Sequence, residues 1–245
     1  MNDGILNKMM VDHLRTQIFA DGANIEDIKH YANSSHIKGF TTNPTLMRNA
    51  GVHNYEEFAK EALKWAVNKP ISFEVLADDF DEMERQALKI ANWGDNVNVK
   101  IPVSNKKGDP SYDVIYRLAR QGVKVNVTAV FTIDQIQHVS DAMTDCVDGY
   151  ISVFAGRIAD TGIDPLSIMK EAVEIIKTSQ NNRLIWASPR EIFNLIQAHD
   201  IGCHIITLTP DLLKKLPLIG KDLLPFSKET VNMFYQDAVA SEYTL

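Results

Sequence analysis

Short apolar stretches alternate with longer amphipathic ones along most of the chain. Strict alternation of apolar and polar residues, or a short unbroken apolar run, is typical of a strand. Apolar residues three and four positions apart are typical of a helix. The first predicted unit has a strand at 17–20 and a helix at 24–32, for which Asn24 is a suitable N-cap residue. The same order then recurs without a hydrophilic linker, so the pattern predicts a series of strand-then-helix units.

The later units follow the same pattern. The further predicted strands are 39–42, 71–76, a strand around Lys100, 123–130, 150–154, 183–187 and 204–208, and the further predicted helices are 55–67, 79–93, 112–120, 133–143, 165–178, 189–199, 211–215 and 228–240. About eight such units with short buried strands are typical of a closed parallel barrel ringed by helices. A doubly wound open sheet is the alternative, but no glycine-rich nucleotide loop follows the first strand.

The fold expected from this pattern is an α/β, single-domain (β/α)8 TIM barrel with parallel strands. It would occupy the whole chain, 1–245, with the barrel at about 16–215 and a C-terminal helical segment at about 216–245. The length of 245 residues suits one such domain.

Composition and charge narrow the possible functions. The chain is 45% hydrophobic and 23% charged with a net charge of −7, which argues against a general binder of nucleic acid or anionic membranes. It carries neither a visible signal peptide nor an apolar run of membrane-spanning length, so a cytoplasmic protein is expected. Its cysteines, Cys146 and Cys203, lack CxxC spacing and are expected to be buried thiols.

One lysine stands out within a predicted strand. Val97, Val99 and Ile101 alternate with polar residues, and Pro102 fits at or just past the end of the strand. Lys100 therefore lies near the carboxyl end of the strand among apolar neighbours, which penalise an ammonium and favour the neutral amine that attacks carbonyls. The alternatives are a lysine whose stem covers the core while its head reaches solvent, and a structural ion pair.

Other polar residues occur at or just beyond the predicted strand ends, where TIM-barrel active sites gather. They are Asp21, Thr41, Asn43, Glu74, Asn126, Thr128, Ser152, Arg157, Ser188 and Arg190. Pairing Glu74 with Lys100 would be the structural explanation of those two residues, but it leaves Asp21 and Asn126 unexplained. The histidines have no HxH or HxxxH spacing and GxSxG is absent, so no metal site is predicted and lysine chemistry is favoured.

Three motifs together resemble one enzyme family. Residues 39–45, G-F-T-T-N-P-T, are similar to the motif (G or A)-x-T-T-N-P-(S/T) of transaldolases. Residues 99–102 resemble the strand that bears the family's Schiff-base lysine, and 152–158, S-V-F-A-G-R-I, resemble S-P-F-V-G-R-I. The resemblance covers about 18–213 in the family's order. It implies a cofactor-free class I aldolase on a TIM barrel, acting on sugar phosphates in carbohydrate metabolism, in the pentose phosphate pathway, and assembled as a homo-oligomer.

The resemblance also implies roles for the candidate residues. Lys100 would form the Schiff base, Glu74 would move protons through a water held by Thr128, and Asp21 would take the proton from the donor's C4 hydroxyl. The other expected roles are holding the dihydroxyacetone hydroxyls (Asn43, Asn126 and Ser152, with Thr41 in support), binding phosphate (Arg157 and Arg190, aided by Ser188) and withholding a proton from the enamine (Phe154).

The family contains transaldolases and fructose-6-phosphate aldolases, which differ at a few positions. Glu74 stands where the aldolases carry glutamine and Phe154 where they carry tyrosine, and Asn126 and Arg190 match transaldolases. Departures are Pro189, where transaldolases usually have phenylalanine, and valine at the second position of the third motif. The favoured hypothesis is therefore a transaldolase. The alternatives are an aldolase that releases free dihydroxyacetone and a non-catalytic barrel that binds sugar phosphates.

Overall fold

The computed structural model of the protein describes residues 11, 13–179, 181–241 and 244. These residues divide between two compact units, of which the larger is Leu14–Leu213. The described residues from Lys214 onward belong to the other unit.

The larger unit is a closed parallel barrel. Its strands are β1 (Gln17–Asp21), β2 (Ile37–Thr41), β3 (Ile71–Glu74), β4 (Val97–Pro102), β5 (Val125–Val130), β6 (Gly149–Val153), β7 (Asn182–Trp186) and β8 (Ile205–Leu208). Each strand pairs in parallel with the next, and β8 closes the ring by pairing with β1. The predicted (β/α)8 barrel is therefore confirmed, and β4 ends at Pro102 as expected.

Helices follow the strands and form the outer layer. They are α1 (Ile25–Ala32), α2 (Pro44–Asn49), α3 (Tyr55–Trp65), α4 (Phe80–Ala91), α5 (Tyr112–Arg120), α6 (Ile133–Ala142), α7 (Ala155–Asp160), α8 (Pro165–Ile176), α9 (Phe193–Asp200) and α10 (Pro210–Leu213). Side chains cap several of their N-termini. Asn24 and Asp79 accept hydrogen bonds from first-turn amides of α1 and α4, and Thr132 and Gln135 form a capping box on α6. These caps fix helix starts within a residue of the predicted ones.

The helices of the larger unit differ from the prediction in three places. Two short helices, α2 and α7, were not predicted, because six residues are too few to show a helical period. The predicted helix at 189–199 begins only at Phe193. Before it, the backbone amides of Arg190 and Glu191 both donate to Asn194 Oδ1, and Ser188 has a φ of 57°, so the chain turns before the helix starts.

Apolar side chains fill the middle of the barrel beneath the strand ends. Phe19, Tyr150, Ile185 and Ile205 belong to one buried cluster. Gly39 admits the Phe19 ring, because a Cβ at this position would lie 2.6 Å from Phe19 Cζ. Burial of this kind stabilises the barrel and leaves its polar residues for the two open ends.

The cysteines are both buried and unbridged, as predicted. Burial raises the pKa of the Cys203 thiol to about 12, so this thiol stays protonated at neutral pH. Neither thiol has the low pKa of a reactive cysteine.

The second unit contains a 3-10 turn at Leu216–Leu218 and a long helix, α11 (Leu223–Ala240). The helix begins before the predicted position 228, because Asp222 accepts a hydrogen bond from the Leu224 amide and Pro225 lies in the first turn, where its missing N–H costs nothing. None of the helices within the described ranges is long and apolar enough to cross a membrane.

Candidate active site

A cavity of about 480 Å³ opens at the carboxyl ends of the strands. It contains most of the residues that the sequence suggested. Its lining comprises Asp21, Thr41, Asn43, Pro44, Thr45, Leu46, Glu74, Lys100, Thr128, Ala129, Phe131, Ser152, Phe154, Arg157, Ala187, Ser188 and Thr207. Nothing in the described ranges forms a group of three or more His, Cys, Asp or Glu side chains that could hold a metal ion.

Lys100 lies at the centre of this cavity and is only 6% exposed. Its Nζ donates a hydrogen bond of 2.8 Å to the backbone oxygen of Thr42 and lies 3.1 Å from Glu74 Oε2. The register explains the contact, since Glu74 on β3 pairs directly with Lys100 on β4 and both side chains face the cavity. The amine is thus buried, oriented, and in contact with a carboxylate.

Aromatic residues hold the carboxyl end of β3 in place. Tyr55 Oη donates a hydrogen bond of 2.9 Å to the backbone oxygen of Glu74. The Tyr55 ring also meets Phe73 and Trp93 edge-on, at centroid distances of 6.2 and 5.4 Å. Burial raises the pKa of the Tyr55 phenol, so it remains a donor at all working pH values. This packing holds the Glu74 backbone in place beside Lys100.

Asp21 is the second carboxylate of the cavity. Burial raises the pKa of this carboxyl above its usual value, while the charge of Lys100 and a hydrogen bond from Thr41 act in the opposite direction. Thr41 Oγ1 donates to Asp21 Oδ1 over 2.7 Å and is also in hydrogen-bond contact with Thr207 Oγ1. Since Thr41 has a single hydroxyl hydrogen and gives it to the carboxylate, Thr207 must donate to Thr41. A hydrogen-bonded chain therefore runs from Thr207 through Thr41 to Asp21.

Thr207 was missed by sequence reasoning. It lies in β8, one of the apolar strands, where threonine is an ordinary strand former. The one feature of the sequence that could have identified Thr207 is its position. It is a polar residue near the carboxyl end of the last strand, comparable with Thr41 in β2.

Asn126 lies beneath the cavity and does not line it. Ser152 Oγ donates to Asn126 Oδ1 at 2.7 Å, and Asn126 Nδ2 donates to Ser72 Oγ at 3.0 Å. Ser152 does line the cavity, so it separates Asn126 from the open space. These bonds use one of the two Nδ2 hydrogens and one of the two acceptor positions of Oδ1, so hydrogen-bonding capacity remains on Asn126.

Thr128 and Asn43 line the cavity with different hydrogen-bonding capacity. Thr128 Oγ1 is buried and has no hydrogen-bond partner among the described residues. Such an atom is available to a water or a substrate hydroxyl. Asn43 Oδ1 is already used as the N-cap of α2, where it accepts from the Leu46 amide at 2.9 Å. The Nδ2 of Asn43 makes no hydrogen bond within the described residues and can contribute to binding without disturbing that helix.

One wall of the cavity is made by the turn after β6 and the turn after β7. Gly156 allows them to meet, since a Cβ there would lie 1.5 Å from the backbone oxygen of Ser188. Arg157 on α7 lies over the Phe154 ring, with Cζ 5.6 Å from the centroid. Ser188 (φ 57°) and Ala129 (φ 58°) both adopt left-handed backbone conformations at the cavity rim. Such strain in residues other than glycine is typical of functional sites.

Arg190 is not part of the cavity lining. Its Nε donates to Asp160 Oδ1 at 3.0 Å and its Nη2 donates to Asp160 Oδ2, so the guanidinium forms a two-point contact at the end of α7. Both side chains are about half exposed, at 49% and 52%. Of the predicted phosphate-binding residues, Arg157 and Ser188 face the cavity in this structure and Arg190 is held beside it.

Comparison of the sequence with known proteins identifies the family to which the chain belongs. Residues 18–244 match the profile of the family described as Transaldolase/Fructose-6-phosphate aldolase. The chain belongs to this family. The protein named "Probable transaldolase 2" from Listeria monocytogenes is 33% identical over 217 residues, which cover 87% of this chain and 95% of that relative. The "Probable transaldolase" of Thermoplasma volcanium is 36% identical over 207 residues, covering 82% and 87%.

Solved structures also share the fold. KGPDC from Streptococcus mutans superposes with a TM-score of 0.57 at 12% identity, over 84% of this chain and 92% of that one. A HpcH/Hpal aldolase/citrate lyase family protein from Burkholderia cenocepacia gives 0.54 at 13% identity, over 95% and 99%. At these identities the likeness concerns the barrel alone.

Proposed function

We propose that the protein is a transaldolase, which transfers a dihydroxyacetone unit from a ketose phosphate to an aldose phosphate through a Schiff base on Lys100. The observation that carries the proposal is the placement of Lys100 Nζ in a cavity with two carboxylates, Glu74 at 3.1 Å and the partly buried Asp21. Family membership and relatives named as transaldolases support it.

The first stage forms the imine. A lysine attacks a carbonyl only as the neutral amine, so a proton must leave Nζ, and Glu74 Oε2 is the carboxylate in contact with it. Attack on C2 of the donor gives a carbinolamine. Glu74, acting through a water bound to Thr128 Oγ1, then donates the proton with which the C2 hydroxyl leaves as water. The free hydroxyl oxygen of Thr128 suits it to hold that water.

The second stage breaks and remakes a carbon–carbon bond. Asp21 accepts the proton of the C4 hydroxyl, the C3–C4 electron pair moves into the cationic imine, and the first aldose phosphate leaves. The remaining three carbons stay on Lys100 as an enamine, which attacks the aldehyde of the acceptor. Asp21 returns its proton to the new hydroxyl, and hydrolysis of the imine releases the product. No external oxidant or reductant is required.

Residues at the rim of the cavity would bind the phosphate group of the substrate. Arg157 and Ser188 face the cavity, and a guanidinium grips a phosphate through two parallel hydrogen bonds. Arg190 would join them by exchanging Asp160 for the phosphate. Ser152 and the Nδ2 of Asn43 would hold hydroxyls of the dihydroxyacetone unit, with Asn126 orienting Ser152.

Phe154 favours transfer over release. A ring without a hydroxyl at this wall cannot deliver a proton to the enamine, so the enamine survives until the acceptor arrives. An aldolase would instead protonate it and release dihydroxyacetone. A cytoplasmic homo-oligomer in sugar-phosphate metabolism remains the expectation from the family.

The direct test incubates the protein with fructose 6-phosphate, with and without erythrose 4-phosphate. We expect sedoheptulose 7-phosphate with the acceptor and little free dihydroxyacetone without it. Lys100→Met should abolish transfer, and Lys64→Met, at an exposed lysine of α3, should not. Dihydroxyacetone release without an acceptor at the rate of transfer would assign the protein as an aldolase. Full activity of Lys100→Met would refute the mechanism.

A further inference from the structure

A second and larger cavity, of about 650 Å³, lies at the opposite end of the barrel. Its residues stand at the amino ends of the same strands that carry the active site. Asn98 precedes Lys100 by two positions on β4, and Tyr150 precedes Ser152 by two on β6, so each pair shares the inner face of its strand. The proposed reaction uses none of these residues, which leaves the amino-end cavity unexplained.

Two buried polar side chains line this cavity with unused hydrogen-bonding atoms. Asn98 is 1% exposed and Tyr150 is 4% exposed. Asn98 Nδ2 donates to the backbone oxygen of Asp148 at 2.9 Å, but neither Asn98 Oδ1 nor Tyr150 Oη has a hydrogen-bond partner in the described part of the chain. Neither atom is among the fully buried unpartnered atoms of the described residues, so both are reached from the cavity and are available to a ligand there. Asn98 Oδ1 is a hydrogen-bond acceptor, and the Tyr150 hydroxyl can donate.

Three cationic side chains line the same cavity, Lys38, Lys124 and Arg183. Lys124 directly precedes β5, and its backbone oxygen accepts a hydrogen bond from the Val99 amide, next to Asn98. Arg183 pairs in register with Tyr150. Lys38 is the extra residue of an irregularity in β2, because Ile18 pairs with Ile37 and the next residue of β1 pairs with Gly39. Bulges of this kind redirect a side chain, and here Lys38 lines the cavity.

These cations are not neutralised by close carboxylates. Lys38 and Arg183 form no ion pair with any described residue, and Lys124 Nζ donates to a backbone carbonyl, that of Asp95, at 2.8 Å. The carboxylates that line the cavity are Asp95 and Asp148, so cations outnumber them in a protein whose net charge is −7. Burial raises the pKa of Tyr150 to about 12, so its phenol keeps its proton and can donate to an anion.

We propose that the amino-end cavity is a binding site for a small phosphate ester that carries hydroxyl groups. Arg183 can hold the phosphate through two parallel hydrogen bonds, and Lys38 and Lys124 add point charges. Tyr150 Oη donates to the same group, and Asn98 Oδ1 accepts a hydrogen bond from a ligand hydroxyl. Because Asn98 Oδ1 is an acceptor, we expect an ester with alcohol groups to bind more tightly than inorganic phosphate.

The test measures binding by calorimetry with glycerol 3-phosphate, which has no carbonyl and cannot form a Schiff base. The background is Arg157→Ala with Arg190→Ala, which removes both guanidinium groups that the proposed function assigns to phosphate in the active-site cavity. We expect one site, weakened at least tenfold by adding Lys38→Gln with Arg183→Gln. Both positions are exposed, so the fold should tolerate the changes. The matched control adds Lys64→Gln with Lys177→Gln, which removes the same charge from exposed positions outside the cavity and should leave the affinity unchanged.

Two further measurements separate the proposed ligand from simpler ones. Tyr150→Phe keeps the ring packed against Phe19 and should weaken binding several-fold. Inorganic phosphate should bind more weakly than glycerol 3-phosphate, because it offers Asn98 no alcohol. The proposal fails if binding is absent at millimolar concentrations, or if the double variant at the cavity and the control double variant bind equally. Equal affinity for the two probes would contradict the assignment of a hydroxylated ester.

Discussion

The hydrogen bond from Thr41 to Asp21 predicts a change in pH dependence that can be sized in advance. Thr41 Oγ1 donates to the partly buried carboxylate of Asp21 at 2.7 Å, and this bond opposes the rise in the pKa of Asp21 that desolvation causes. A hydrogen bond to a charged group contributes about 1.5–3 kcal/mol, and about 1.4 kcal/mol corresponds to one pKa unit. Thr41→Val should therefore raise the pKa of Asp21 by about one to two units.

The sign of the effect follows from the role of Asp21 as a base. The base acts when ionised, so a higher pKa removes activity at the acidic end of the pH range and spares it at the alkaline end. The assay is kcat/KM for transfer from fructose 6-phosphate as a function of pH. Its acid limb should move toward higher pH by about one to two units in Thr41→Val.

Thr207→Val provides the matched control. It removes a hydroxyl that donates to Thr41 but leaves the bond from Thr41 to Asp21 in place. Only the polarisation of that bond should weaken, so the acid limb should move by less than about half a unit. An unshifted limb in Thr41→Val, or an equal shift in both variants, would show that Asp21 does not depend on this chain.

Two other variants test neighbouring parts of the site. Burial raises the pKa of Asp21, so the ionised carboxylate destabilises the folded protein at pH values above its folded-state pKa. Asp21→Asn should therefore raise Tm at pH 8 by a few degrees, for a gain of about 0.5–2 kcal/mol in the free energy of unfolding. This gain should shrink as the pH falls through the folded-state pKa of Asp21. Thermal denaturation at pH 8 and pH 5 checks this, and a Tm lowered at pH 8 would contradict it. Asp160→Asn should free Arg190 for the phosphate and lower KM for phosphorylated donors by roughly two- to fivefold, since an exposed ion pair contributes at most about 1 kcal/mol. A raised KM would show that Asp160 positions Arg190 instead of competing for it.

The barrel and the pairing of Lys100 with Glu74 were predictable because they depend on local pattern. Period-two alternation fixes which side chains of β3 and β4 face inward, and parallel pairing brings both residues to one end of the barrel. Capping residues such as Asn24 and Asp79 mark helix starts within a residue. These signals lie within a few positions of the elements that they define.

The features that sequence reasoning missed depend on tertiary contacts. The side chain of Arg190 is long enough to reach either Asp160 or the cavity, and only packing of the turn against α7 selects between them. Asn126 is expected at the site from its strand position, but Ser152 lies between it and the cavity. Thr207 resembles any strand threonine until β8 closes the barrel beside β1. Neither the reach of a long side chain nor the closure of the barrel can be predicted from local periodicity.

The central claim is that Lys100 forms the Schiff base, and reduction by borohydride tests it most directly. The protein is treated with fructose 6-phosphate and borohydride, digested, and mapped by mass spectrometry. We predict a reduced three-carbon adduct on the peptide that contains Lys100 and loss of transfer activity in proportion to labelling. Labelling of another lysine, or no adduct in a protein that still transfers, would contradict the account.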